Sequence, residues 1–438
     1  MSQISSVTGQ TDPTGQPGDQ AASAPKLRHW KTPVVMGILA VVALLGFAIL
    51  GPDGSATFRL SQDRDAIQLA PLVLGAKAFG WVLALGLVAL AVLAYFQVRT
   101  VGRTTGWLNS VFAVLFVIGF MIWIVAGTQA QTVSLVGMLT GSMLIVVPIV
   151  YGSLSGVLCE RAGVINIAIE GQLLGGAFTA ALVGTMTGNA LVAMLAAALA
   201  GVLVSLVLAV FSIKYLVNQI IVGVVLNVLV SGLTGFLFDK LMKDSGAALY
   251  NQPPRLPVLG IPLLKDIPVL GPVFFEQTIL GYLMLVLVFG LWFALFRTRW
   301  GLRVRAVGEY PKAADTVGVK VNRVRFWNVS LGGAVAGLGG SYFTLVAVSS
   351  FSKDMSGGLG FIALAAMIFG RWNPIGAFLA ALLFGVAGNL QNILSIAVTP
   401  VDGAFLAMLP YALTILAVSG LVGRARPPAA NGVAYVKA

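Results

Sequence analysis

Along most of this chain the apolar residues do not alternate with polar ones at the period of a surface helix or strand. They run on for about 20 positions at a time, the length an α-helix needs to cross hydrocarbon. Such runs occupy residues 33–51, 78–98, 107–127, 133–158, 164–186, 190–213, 217–238, 278–296, 326–350, 359–370, 374–394 and 404–422. In lipid every backbone N–H and C=O must be satisfied within the segment, and a helix does this alone. The pattern therefore predicts an all-α, polytopic integral membrane protein with about 12 transmembrane helices. The 359–370 run is short for a full crossing and reads as half of a broken pair.

The polar intervals test this count. With the first segment inside and strict alternation, the inner intervals hold 19 of the 27 Lys and Arg, and the outer ones hold 8. Acidic residues are distributed the other way, and Glu170 is the single acid inside a run. Excess Lys and Arg mark cytoplasmic loops, so both termini are expected in the cytoplasm. Residues 1–31, rich in Ser, Thr, Gly, Gln, Asp and Pro, cannot bury enough apolar surface to order themselves and read as a cytoplasmic tail. The first run lacks a small-residue cleavage site and reads as a retained anchor. Residues 32–127 form a three-helix membrane extension without polar motifs, 128–423 the core, and 424–438 a cytoplasmic C-terminal tail. The outer interval 239–277 carries NQPPRLPVLGIPLLKDIPVLGP, whose prolines exclude a helix interior. Its apolar residues suit packing on the membrane surface or on a partner, or it is a connecting loop. GAFTAAL at 176–182 and GAFLAAL at 376–382 reflect either duplicated architecture or chance in a chain so rich in Ala, Leu and Gly.

Composition narrows the class. The chain is 58% hydrophobic and 10% charged, with mean hydropathy +0.95. Its net charge of +12 follows from inner-loop Lys and Arg, and no basic patch interleaved with aromatics points to nucleic acid. One cysteine, Cys159, excludes an intrachain disulfide, and one histidine, His29, leaves neither a metal cluster nor a His-dependent catalytic site. No GxxxxGK[ST] sequence occurs, so the chain offers no P-loop for ATP.

The interval 297–325, RTRWGLRVRAVGEYPKAADTVGVKVNRVR, contains eight cations and the most informative local pattern. Pro311 suits the first turn of a helix, Glu309 complements its positive end, Ala313 and Ala314 favour helix, and Gly318 can take the left-handed conformation that ends one. The expected product is a helix of about two turns over 311–317, too short to stand alone. It must dock either on the protein's own inner surface or in a groove of another protein.

Polar residues inside the runs are few. Glu170 bonds the backbone of a broken helix near Gly171, Gly175 and Gly176, lines a solute path, or relays protons. Asn166, four positions earlier, is expected on the same helical face and within reach of it. Asn218, Gln219, Asn227, Asn389, Gln391 and Asn392 suit either interhelical bonds or the donors and acceptors of an uncharged solute. GRWNP at 370–374 breaks a span, with Arg371 anchoring the inner surface.

These motifs carry a resemblance. Gly308, Glu309, Pro311, Ala313, Ala314 and Gly318 resemble the cytoplasmic coupling loop of permease subunits from ATP-binding-cassette (ABC) importers. ERAGVINIAIEGQLLGGAF at 160–178, with Glu160, Arg161, Gly163, Asn166, Glu170 and Gly171, is similar to the permease family serving nucleosides and simple sugars such as ribose, as is FGRWNPIGAFLAALLFG at 369–385. The resemblance covers about 133–423, and shorter members lack residues 1–127. It implies a non-enzymatic permease in a bacterial cell membrane, with Asn166, Glu170, Asn227 and Asn389 as solute-path candidates. It also implies partners: an ABC ATPase that binds the ATP, a second permease (identical or related), and an extracytoplasmic solute-binding protein. The competing expectations are a secondary transporter driven by an ion gradient, with Glu170 at its ion site, and a membrane scaffold without transport.

Overall fold

The computed structural model describes residues 30–61, 67–128, 131–243, 250–396, 408 and 426–437. The tail before residue 30, His29 and all but one residue of the 404–422 run lie outside the described residues. The chain begins with α1 (Lys31–Ala43), prolonged by a wider turn to Ile49, then β1 (Ser55–Arg59), β2 (Leu72–Gly75), α2 (Ala76–Val101) and α3 (Gly106–Ala126). β3 (Thr132–Ser134) leads into α4 (Leu135–Arg161), α5 (Ile169–Thr187), α6 (Ala190–Ala209) and α7 (Gln219–Leu237). After β4 (Val258–Gly260) and β5 (Glu276–Thr278) come α8 (Ile279–Arg297), α9 (Arg299–Glu309), α10 (Pro311–Thr316), α11 (Val321–Tyr342), α12 (Leu359–Phe369) and α13 (Pro374–Ile396).

Among the described residues nine helices are long and apolar enough to cross a membrane. α5 is not one of them. Glu170, Gln172 and its glycines lower its hydropathy, and most of its residues are buried by other helices. α12, with 11 residues, spans ~16 Å, about half of the hydrocarbon. The described residues are mostly helical, with a few short strands outside the spans. β1 pairs antiparallel with β2 and parallel with β3, and β4 pairs antiparallel with β5. These segments lack helical partners for their backbone groups and satisfy them across short ladders. β1 also joins the first three helices to the chain entering α4, where Phe58, Met121 and Val125 pack with Met138 and Leu390.

α4 and α11 are the most buried spans and form the centre. Small residues make their packing possible. A Cβ on Gly337 would lie 2.1 Å from the Ala197 carbonyl oxygen, and one on Gly340 would lie 2.0 Å from that of Leu173. α11 therefore meets α6 and α5 backbone to backbone, the close approach that small residues allow in membranes. Of the paired GAF sequences, Gly176 sits within α5 against Gly337, whereas Gly376 opens α13 against Gly370.

Candidate functional site

The α4–α5 connection, residues 162–168, is not helical. Gly163 adopts φ +85°, so the chain leaves α4 in a left-handed turn that favours glycine. This corrects the expected Asn166–Glu170 pairing, because the two residues do not share a helix. Asn166 is fully buried and donates to Ser155 Oγ at 3.2 Å and Gln172 Oε1 at 3.1 Å. Gln172 Nε2 donates in turn to Asn166 Oδ1 at 3.3 Å and Ser205 Oγ at 2.9 Å. The network ties α4, the turn, α5 and α6 through polar groups that would be costly to bury unpaired.

Glu170 stands in the first turn of α5, but its partners lie nearly two hundred residues away. Oε1 accepts from Ser356 Oγ at 2.6 Å and Gly358 N at 2.8 Å, and Oε2 accepts from Gly360 N at 2.6 Å. The carboxylate therefore caps α12, whose first N–H groups lack intrahelical partners. Negative charge at a helix N-terminus is favourable for the same reason. The glycines near Glu170 in sequence are not its partners. Asn227, on α7, accepts from Gly171 N at 2.8 Å and donates to Ile167 O at 2.9 Å, bracketing the start of α5. The turn preceding α5 is also bonded to Gln219, which opens α7. Asn227 thus lies ~12 Å along α7 from Gln219. Non-helical backbone at such depth persists only where protein or a water-lined cavity satisfies it. Next to this bracket, half-buried Ser231 donates to exposed Asp354 at 2.5 Å. Asn389 lies elsewhere, donating to Met138 O at 2.7 Å near the opposite end of α4.

The Arg-rich end carries the expected short helix. α10 runs Pro311–Thr316 with Pro311 at its first position, and Gly318, at φ +84°, lets the chain leave it. Three of the six docking-pattern residues, Gly308, Pro311 and Ala314, are buried against the permease itself. Ala314 is 3% exposed and packs with Val307, Val321 and Tyr435. Gly308 closes against α4, where an added Cβ would lie 2.2 Å from the Arg161 carbonyl. Glu309 is exposed and accepts from Ala429 N at 3.2 Å rather than capping α10. The outward face consists of Tyr310, Ala313 and Val317, at i, i+3 and i+7, with Tyr310 64% and Val317 78% exposed.

Charged groups that sequence spacing alone did not pair are locked below α10. Buried Glu160 accepts from Trp372 Nε1 at 2.6 Å and Asn431 Nδ2 at 2.8 Å. Arg161 Nε donates to Trp372 O at 2.9 Å, and its guanidinium lies 5.4 Å from the Phe296 ring centre. GRWNP forms the α12–α13 break, with Arg371 and Trp372 both at positive φ. The Glu160–Arg161 pair holds that unfavourable backbone in place. Glu-Arg at 160–161 and Gly-Arg-Trp at 370–372 are readable in the sequence, but their contact is not.

Comparison with known proteins gives this arrangement a family. The family model described as "Branched-chain amino acid transport system / permease component" matches residues 138–418. The chain is 39% identical over 299 residues to the guanosine ABC transporter permease protein NupQ of Bacillus subtilis, an alignment covering 66% of this chain and 93% of that one. It is 38% identical over 305 residues to the nucleoside ABC transporter permease protein NupC of Lactococcus lactis, with the same shares covered. A putative glucose ABC transporter permease protein of Haloferax volcanii, TsgC13, is 34% identical over 267 residues, 60% of this chain and 80% of that one. No solved structure matches. The matched region contains the α4–α5 turn, the Glu170 bracket, α10 and the α12–α13 break. The chain belongs to this family of transport-system permease components, proteins of transport rather than catalysis, and is a multi-pass membrane permease of the ABC type.

Proposed function

We propose that this chain is the membrane-spanning permease of an ATP-driven importer of nucleosides or related ribose-containing solutes. Its likeness to a guanosine permease over 93% of that protein's length is the observation that carries the reading. The chain sits in the bacterial cytoplasmic membrane with both termini inside. A separate ABC ATPase binds the ATP, since the sequence has no P-loop of its own. A second permease, related or identical, completes the path, and an extracytoplasmic solute-binding protein delivers solute. The exposed apolar residues Val258, Leu259, Leu263 and Leu270 on the opposite side from α10 offer that protein a contact. Residues 32–127 are an added unit whose outward faces meet lipid.

α10 is the coupling helix. Its inner side, through Pro311 and Ala314, is fixed to the permease, and its outer face, Tyr310, Ala313 and Val317, enters a cleft of the ATPase. Gly308, Glu309 and Gly318 set its entry and exit. ATP-driven closure of the paired ATPases displaces this rigid turn, and α9 and α11 carry the displacement into the membrane. The solute path runs beside the bracket of Glu170 and Asn227, where Ser231 and Asp354 add polar groups on the open side. Hydroxyl, amide and carboxylate groups match the ribose hydroxyls and base edges of a nucleoside. Asn166 supports this wall from behind, and Asn389 steadies α13 on α4.

The test is uptake of radiolabelled guanosine, uridine and ribose into proteoliposomes containing the chain and its co-purified subunits. Uptake should require ATP and survive an ionophore. ATP-independent uptake that an ionophore abolishes would establish the gradient-driven alternative instead.

A further inference from the structure

The segment after the last membrane run reads in sequence as a plain tail, yet residues 428–435 lie across the whole basic face. Ala430 N donates to Gly308 O at 2.8 Å, and Gly432 N donates to Gly163 O at 3.3 Å. Asn431 Nδ2 reaches Glu160 at 2.8 Å, and the Val433 carbonyl accepts from Arg325 Nη1 at 2.8 Å. Arg325 is 2% exposed, and its Nε and Nη2 have no partner among the described residues. Tyr435, 6% exposed, fills the space beneath α10 between Val307, Ala314 and Val321, with its hydroxyl on Asp315. Gly432, at φ +76°, passes so close to Ile165 that a Cβ would stand 2.7 Å from its Cδ1.

A solvated tail would not place its backbone amides on the carbonyls of two separate turns, nor supply a partner to a buried carboxylate and a buried guanidinium. One strap contacts the end of α4, the α4–α5 turn, the end of α9, α10 and the start of α11. Through Glu160 and Trp372 it also reaches the α12–α13 break. α10 is six residues long and has few contacts of its own, so alone it would tilt when pushed.

We propose that residues 428–435 are a positioning clamp that makes α10 and the inner ends of α4 and α11 one rigid body, so that movement of α10 reaches the membrane helices. Tyr435, Asn431 and Gly432 are its positioning residues. This rests on α10 being the coupling helix, and the experiment separates failure of the two ideas.

The experiment uses the full complex with its ATPase in proteoliposomes and measures solute moved per ATP hydrolysed. Tyr435→Ala and Asn431→Leu should retain the ATPase in a pull-down and keep basal hydrolysis, while solute per ATP falls at least ~5-fold, the low end of coupling between distant sites. Tyr435→Phe, which keeps the packing, should stay near wild type. An unchanged ratio in Tyr435→Ala overturns the clamp. Loss of the ATPase from that variant also overturns it, because the strap would then be part of the docking surface. A wild-type chain that retains no ATPase sinks the docking assignment itself, and the pull-down shows this before any variant is made. Amide exchange on the wild-type chain gives an answer free of folding defects: Ala430 and Gly432 should be protected, and exchange at the rate of a free peptide overturns the proposal.

Discussion

Replacing Glu170 with Gln tests the capping of α12 with almost no change of shape. The carboxylate accepts three hydrogen bonds, from Ser356, Gly358 and Gly360, across both oxygens. A Gln side chain has one acceptor oxygen, so its NH2 must face either the Gly360 amide or the Ser356–Gly358 pair. At least one charge-assisted bond becomes a donor–donor contact and the others become neutral. Bonds to charged groups contribute about 1.5–3 kcal/mol each, and an unsatisfied buried donor costs a similar amount. Loss of one bond and weakening of the rest gives about 3 kcal/mol of local destabilisation, or ~10²-fold faster opening at the start of α12. Hydrogen exchange with mass spectrometry on the detergent-solubilised protein reads this directly. Peptides covering residues 356–362 should exchange about a hundredfold faster in Glu170→Gln, while those covering α8 stay unchanged. Exchange within about threefold of wild type across 356–362 would refute the capping argument.

Other perturbations follow from the packing. Gly340→Ala puts a methyl 2.0 Å from the Leu173 carbonyl oxygen, and the forced separation of α11 from α5 should cost about 1–3 kcal/mol, seen as a lower unfolding temperature in detergent. Gln172→Leu leaves Asn166 and Ser205 short of partners and should cost about 1–3 kcal/mol. Adding Asn166→Leu should cost less than the sum of the two single changes, because both remove one network. Trp372→Phe removes the indole donor to Glu160 and should release the positive-φ break, read as faster proteolysis at 370–374.

The features that chemistry writes locally were legible in the sequence. Pro311 and Gly318 set the limits of α10 to within a residue, and Gly370 to Pro374 marked the division of α12 from α13. Among the described residues, nine of the long apolar runs fall on helices long and apolar enough to cross, because hydrocarbon leaves the backbone few choices. What could not be read depends on distant contacts. The sequence leaves the role of Glu170 open among three alternatives, and its hydrogen-bond partners at the head of α12 are nearly two hundred residues away. Asn166 lies inside the 164–186 run and is expected on a helix, but the left-handed Gly163 delays α5 until Ile169. Ala314 fits a docking pattern and a buried position equally well, and its burial among Val307, Val321 and the distant Tyr435 is not written in the local sequence. The strap has no periodicity, and its fit depends on amides meeting carbonyls of other segments.

The central claim is that an ATPase grips the outer face of α10, and crosslinking tests it most directly. Cys159 is buried, so Val317→Cys places a single exposed thiol on that face. Leu263→Cys, at a site 86% exposed on the opposite side, serves as the control. With a short thiol-to-amine crosslinker in a transport-competent complex, Val317→Cys should capture the ATPase subunit and Leu263→Cys should not. Capture from Leu263→Cys, or transport-competent complexes in which Val317→Cys never reaches an ATPase, would contradict the account.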